Sequence, residues 1–135
     1  MIDYITGTFE DPHEIIYTIG LEEPVSLGEI NLKDGSTYNG DWFKGLRHGD
    51  GTLKCPDGTS YNGKWINDHY DGFGTFEQKD QFQREGIWKK GYLTGIGKET
   101  LKDGTEYTGE FENGKKNGQG ILKNPKKKFV YEGGF

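Results

Sequence analysis

The sequence predicts an all-β chain, an array of successive β-hairpins with no helical domain. Three observations predict it. Hydrophobic residues make up only 30% of the 135, while glycine alone counts 23, so a thick core is excluded. Aromatic residues still reach 14%, with eight Tyr, eight Phe and three Trp, a content that chains without a fold rarely carry. Most of all, the chain repeats itself, and internal repeats decide architecture before any local reading does.

The repeat centres on a glycine between aromatic residues. YNGDW centres on Gly40, YNGKW on Gly63, REGIW on Gly86, YTGEF on Gly109 and YEGGF on Gly133. Each of the first four is followed by a Gly-x-Gly: Gly49/Gly51, Gly72/Gly74, Gly95/Gly97 and Gly118/Gly120. Another glycine comes earlier as Gly45, Gly91 and Gly114, with Asp68 in the second copy. Asp-Gly recurs as Asp34-Gly35, Asp57-Gly58 and Asp103-Gly104.

Each unit reads as two strands. Tyr38, Gly40 and Trp42 alternate, so they share one strand face. A glycine flanked by rings lets them fold over bare backbone and shield its hydrogen bonds. KGLRHGDG reads as a glycine-dense loop suited to positive φ, and GTLKC as the return strand. PDG is a turn, feeding one hairpin into the next. The third copy departs: Arg84 holds the tyrosine place, with Phe82 nearby as its substitute, and Asp80-Gln81 replaces Asp-Gly. NPKKKF carries one extra residue, so an irregular turn is expected over 124–128.

The motif Y-x-G-x-W/F, then Gly, Gly-x-Gly and Asp-Gly, resembles the MORN repeat (membrane occupation and recognition nexus). The resemblance covers residues 38–135 as about four copies and a partial fifth. It implies an elongated, twisted, single-layer antiparallel sheet. We expect an array over 29–135, preceded by a cap over 1–28. In that cap, ITGTF at 5–9 and Tyr17 mark worn copies, and acids discourage further stacking on the open edge.

Enzymatic signatures do not hold up. HGDG, DGFG, TGIG and NGQG recur with the repeat, so they read as hairpin punctuation; a phosphate cradle needs one such loop leading into a helix. GYLTGIGKE resembles a P-loop, but its spacing is one residue too long, and Glu99 stands where Ser or Thr must meet magnesium. NDHYDG echoes a calcium loop but lacks its closing Glu, with Gln78 there instead. His13, His48 and His69 lack ligand spacing, and Cys55, the single cysteine, reads as a small apolar residue of a return strand. The expectation is no catalytic residue, no metal and no cofactor.

Charge is unevenly placed within a net of −5: residues 1–32 hold seven acids and no base, residues 113–135 six lysines and one acid. No signal-peptide pattern and no apolar run of membrane-spanning length occur, so a soluble intracellular protein is expected. The aromatic ladder is the strongest binding candidate: Tyr38, Trp42, Tyr61, Trp65, Trp88, Tyr107 and Phe111. In a single layer one face goes uncovered, and a row of partly exposed rings there would receive an extended or helical segment of a partner protein. The alternative is a peripheral membrane adaptor, with Lys115, Lys116, Lys123, Lys126, Lys127 and Lys128 on acidic phospholipid. The end-to-end polarity points to self-association; the overall charge argues against nucleic acid. By resemblance the setting is the cytoplasm, at the cytoskeleton, a cilium or a membrane.

Overall fold

A computed structural model describes residues 23–135, and no helix occurs among them. Ten strands form one open antiparallel sheet in strict sequence order. They are β1 (Val25–Asn31), β2 (Thr37–Phe43), β3 (Leu46–Lys54), β4 (Thr59–Ile66), β5 (His69–Gln78), β6 (Phe82–Lys89), β7 (Tyr92–Leu101), β8 (Glu106–Glu112), β9 (Lys115–Asn124) and β10 (Phe129–Gly134). Every strand therefore pairs with its chain neighbours, as a run of hairpins requires.

Two kinds of turn alternate. The first is a two-residue turn at Lys44-Gly45, Asn67-Asp68, Lys90-Gly91 and Asn113-Gly114, with φ between 48° and 88° throughout. Two positive φ angles give the turn whose twist matches that of the flanking strands. This explains the recurring Gly45, Gly91 and Gly114, and why Asp68, which tolerates the left-handed region, replaces glycine once. The second turn is Asp-Gly. Ser36, Thr59 and Thr105 each donate a backbone N–H to the carboxylate two residues earlier, on Asp34, Asp57 and Asp103 (2.8–2.9 Å). The turn before the third copy lacks glycine, and Asp80 takes φ 61° itself.

The expected loop at KGLRHGDG is instead the short turn Lys44-Gly45 followed directly by β3, which starts at Leu46. Likewise HGDG, DGFG, TGIG and NGQG lie within strands, not in turns. Their first glycines take positive φ (71°–105°), and most adjoin bulges. Their second glycines pair across the hairpin as Gly40↔Gly51, Gly63↔Gly74, Gly86↔Gly97 and Gly109↔Gly120. A bulge leaves two residues opposite one, which increases local twist.

The core is a single buried row along one sheet face: Tyr38, Trp42, Leu53, Tyr61, Trp65, Trp88, Leu93, Tyr107 and Phe111. At the last turn Asn124 is fully buried, and its side-chain oxygen accepts the N–H groups of Lys126 and Lys127 (2.9 and 3.0 Å). Strand β1 crosses the expected boundary at residue 28 and pairs with β2, with a bulge between Ser26 and Glu29. The motif at 5–9, Tyr17, His13 and the acids through Glu22 lie outside the described residues.

Candidate functional site

The repeat's aromatic chemistry begins with tyrosine. Each Tyr hydroxyl donates to the carbonyl three residues on: Tyr38 to Asp41 (2.9 Å), Tyr61 to Lys64 (3.0 Å), Tyr107 to Glu110 (2.8 Å) and Tyr131 to Gly134 (3.0 Å). The ring must then lie across its own glycine and the paired one. A Cβ on Gly51 or Gly74 would fall within the Tyr38 or Tyr61 ring. Burial raises the Tyr38 and Tyr61 hydroxyl pKa well above the ordinary phenol value.

Tryptophan ties one copy to the previous one. Trp65 Nε1 donates to the Gly51 carbonyl (3.0 Å) and Trp88 Nε1 to the Gly74 carbonyl (2.9 Å). Its rings meet the tyrosines edge-on, as at Tyr61–Trp65 (5.1 Å) and Tyr61–Trp88 (5.8 Å). The first copy departs: Trp42 Nε1 is buried with no partner among the described residues. By the repeat its acceptor would be Gly28, which the bulge in β1 displaces from Gly40.

Packing corrects the expectation of partly exposed rings. Tyr38, Trp42, Tyr61, Trp65, Trp88, Tyr107 and Phe111 are all buried, with exposures of 0–5%. A further periodic position closes over them. Arg47, Tyr70, Leu93 and Lys116 lie opposite Trp42, Trp65, Trp88 and Phe111. The Arg47 guanidinium sits over Trp65 (4.7 Å), Tyr70 stacks on Tyr61 (4.0 Å), and the Lys116 ammonium lies over Tyr107 (5.3 Å). Its regular spacing was visible in the sequence, but its mixed chemistry concealed a shared role.

The third copy is built differently. Arg84 faces Glu99 where other copies pair Tyr38 with Leu53, Tyr61 with Phe76 and Tyr107 with Leu122. Arg84 Nε donates to Glu99 (2.7 Å) and Nη1 to the Gly114 carbonyl (3.0 Å), while Lys116 reaches Glu99 at 2.8 Å. Glu99 is 5% exposed; burial alone would raise its pKa, but Lys116 and Arg84 together hold it below the ordinary value. The glycine pair is covered by Leu93, which approaches Gly86, and not by the expected substitute Phe82. Phe82 instead stacks on Phe76 at 6.0 Å.

Beside Arg84 this leaves a groove of about 340 Å³. Tyr70, Phe76, Phe82, Trp88 and Tyr92 supply aromatic surface, and Arg84 and Lys115 supply positive charge. Of the seven ladder residues only Trp88 lines it.

The six lysines do not form one cluster. Lys115 and Lys116 open β9, while Lys123 and Lys126–Lys128 lie at its far end, roughly 25 Å away at strand rise. Lys116 is bound to Glu99, and Lys127 to Asp103 at 3.2 Å. Hydrogen bonds from Thr105, then Lys127, lower the Asp103 carboxyl to about 2. Among the described residues no three His, Cys, Asp or Glu side chains gather as metal ligands, and Cys55 is half-buried in a turn.

A family model described as MORN repeat matches residues 38–60, 61–81, 85–106 and 107–127. No curated protein matches the chain.

Proposed function

The chain belongs to the MORN repeat family, whose units are non-enzymatic modules for protein or membrane interaction, and on that premise we propose a non-catalytic scaffold or adaptor. It holds a segment of a partner protein, extended or helical, in the aromatic groove of the third copy. One observation carries this reading: the groove opens where Arg84 replaces the covering tyrosine. Of the ladder rings Trp88 alone forms part of the wall, and residues outside the ladder make the contact. Tyr70, Phe76, Phe82 and Tyr92 supply apolar and stacking surface; Arg84 and Lys115 favour a segment carrying acids among its apolar residues. Such a module works within a larger assembly, at the cytoskeleton or a cilium.

The test is a quantitative pull-down from source-cell extract with the wild type and with Phe82→Ala/Tyr92→Ala. The double variant should lose about 2 kcal/mol of partner affinity, near thirtyfold, with its circular dichroism unchanged. A partner retained at full strength would place binding elsewhere.

A second reading has its own support. The Lys126–Lys128 turn adjoins Phe129 and Val130, 39% and 71% exposed, a basic and apolar surface suited to acidic phospholipid. Salt-sensitive binding to phosphatidylserine vesicles, lost on neutralising those three lysines, would favour it over the groove.

A further inference from the structure

The face that carries the rings holds a second groove, at the same place in the repeat as the first. Trp88, Gly91, Leu93 and Gly114 line the groove beside Arg84. Trp42, Gly45, Arg47 and Asp68, each 46 positions earlier, line another of about 320 Å³. Between them Tyr70 fills the equivalent place by stacking on Tyr61. The two differ in charge. Lys33 and Arg47 cancel Asp34 and Asp68 around the first-copy groove, and the nearby Lys44 turns to Phe43. Around the third-copy groove Arg84, Lys115 and Lys116 outnumber Glu99 and Glu112, the latter opposite Lys115 in register. Lys90, in the adjoining turn, is matched by Asp71, which accepts its N–H. One groove is neutral on balance, the other positive.

The chain before β1 reaches the sheet at the edge on which both grooves open. Val25 pairs with Trp42, next to the turn Lys44-Gly45, on the edge that also carries Lys90-Gly91 and Asn113-Gly114. From β1 the third-copy groove lies four to eight strands away, over β5 to β9. At ~4.8 Å per strand that is about 19–38 Å, which an extended chain at ~3.3 Å per residue covers in about 6–12 residues. Counted back from Glu23, this reach falls on residues 11–17, with 18–22 crossing the neutral groove. Residues 11–17 read Asp-Pro-His-Glu-Ile-Ile-Tyr, two acids and three bulky apolar residues without a Lys or Arg. Residues 18–21 read Thr-Ile-Gly-Leu and carry no charge. The order agrees too: Tyr17, Ile16 and Ile15 come nearest β5 and β6, which supply Tyr70, Phe76 and Phe82, while Asp11 comes nearest β9, which supplies Lys115. Reach, composition and order thus select the same residues.

We propose that residues 11–17 occupy the third-copy groove of their own chain, with Asp11 and Glu14 toward Lys115 and Arg84 and with Ile15, Ile16 and Tyr17 on the aromatic wall. The proposal rests on the groove of the proposed function and adds its regulation: the chain's own segment holds the place, and a partner has to displace it. A tethered segment acts at roughly millimolar effective concentration, so modest contacts suffice to hold it.

Photo-crosslinking of the purified full chain tests it, with a benzophenone side chain at position 92 and no other protein present. In dilute solution the monomer should form an adduct with residues 11–17, located by mass spectrometry of its peptides. Asp11→Lys/Glu14→Lys should cut the yield about tenfold at unchanged circular dichroism. A benzophenone at position 66, which follows Trp65 and so points to the other face, should not reach the segment. No adduct with 11–17, an equal yield in the double variant or from position 66, or an adduct joining two copies overturns the proposal. Partner binding is decided apart from it: loss of the partner in extract leaves this adduct in place, and capture of a partner there does not supply it.

Discussion

In the second copy the glycine pair Gly63/Gly74 lies under Tyr61, whose ring stacks on Tyr70 at 4.0 Å. In the third, Gly86/Gly97 lies under Leu93, and Arg84 and Glu99 stand where Tyr61 and Phe76 stood. The strand pairing is nearly the same. A tyrosine lid buries its ring, hydrogen-bonds its hydroxyl and fills the space above two glycines. The ion pair satisfies its charges through Lys116 and the Gly114 carbonyl and leaves the glycines to Leu93, and a groove lies beside Arg84. The repeat can therefore exchange packing for access at one copy without losing register. Burying such charges is not in itself stabilising, since desolvation offsets much of the attraction.

The sharpest way to break this comparison is a methyl group. Gly74→Ala places a Cβ within the Tyr61 ring and should cost about 3 kcal/mol or more in urea unfolding. Gly97→Ala meets its nearest atoms at 3.1–3.2 Å, two of them on side chains, and should cost about 1 kcal/mol. Equal losses would mean that the two glycine pairs are covered alike. Next is Glu99→Gln, which strips Arg84 and Lys116 of their shared anion; about 1–3 kcal/mol should be lost, the lower end if both cations turn to solvent. Tyr61→Phe removes one hydroxyl donor and should cost about 1 kcal/mol.

Acid sharpens the comparison at the turns. The carboxyls of Asp34 and Asp57 are lowered by hydrogen bonds from Ser36 and Thr59, and that of Asp103 falls from 3.8 to about 2. A lowered folded-state pKa gives stability that is full above the unfolded value and lost as protons bind the folded form. For Asp103 that loss spans roughly pH 4 to pH 2, and Asp103→Ala should flatten the decline there. The smallest effect belongs to Asp80, which takes φ 61° at the place that Asp34, Asp57 and Asp103 hold in the other turns, where the following glycine takes the positive φ instead. Asp80→Gly should be neutral or stabilise by about 0.5 kcal/mol, readable as a small rise in unfolding midpoint.

The hairpin array was legible because its determinants are local and periodic. Tyr, Gly and Trp at fixed spacing specify one strand face, and Asp-Gly specifies a turn. The placement of Gly49 and Gly51 was less so: glycine density alone does not separate a loop from a bulged strand in which two backbones touch. Exposure of the ladder was misjudged because Arg47, Tyr70, Leu93 and Lys116 share a position and a role but no chemistry. The groove depends on that same position and on Glu99. Glu99 could have been noticed as the one acid where other copies read Leu53, Phe76 and Leu122. Within GYLTGIGKE it stands out only as a mismatch to a phosphate loop.

The most direct test of the central claim is photo-crosslinking from the groove. A benzophenone side chain at position 92 would be compared with one at position 66, both exposed and only the first at the groove. The account predicts that position 92 captures one segment of one partner protein, that Phe82→Ala abolishes the adduct, and that position 66 captures nothing comparable. Equal capture at both positions, or an adduct at 92 indifferent to Phe82→Ala, would contradict it.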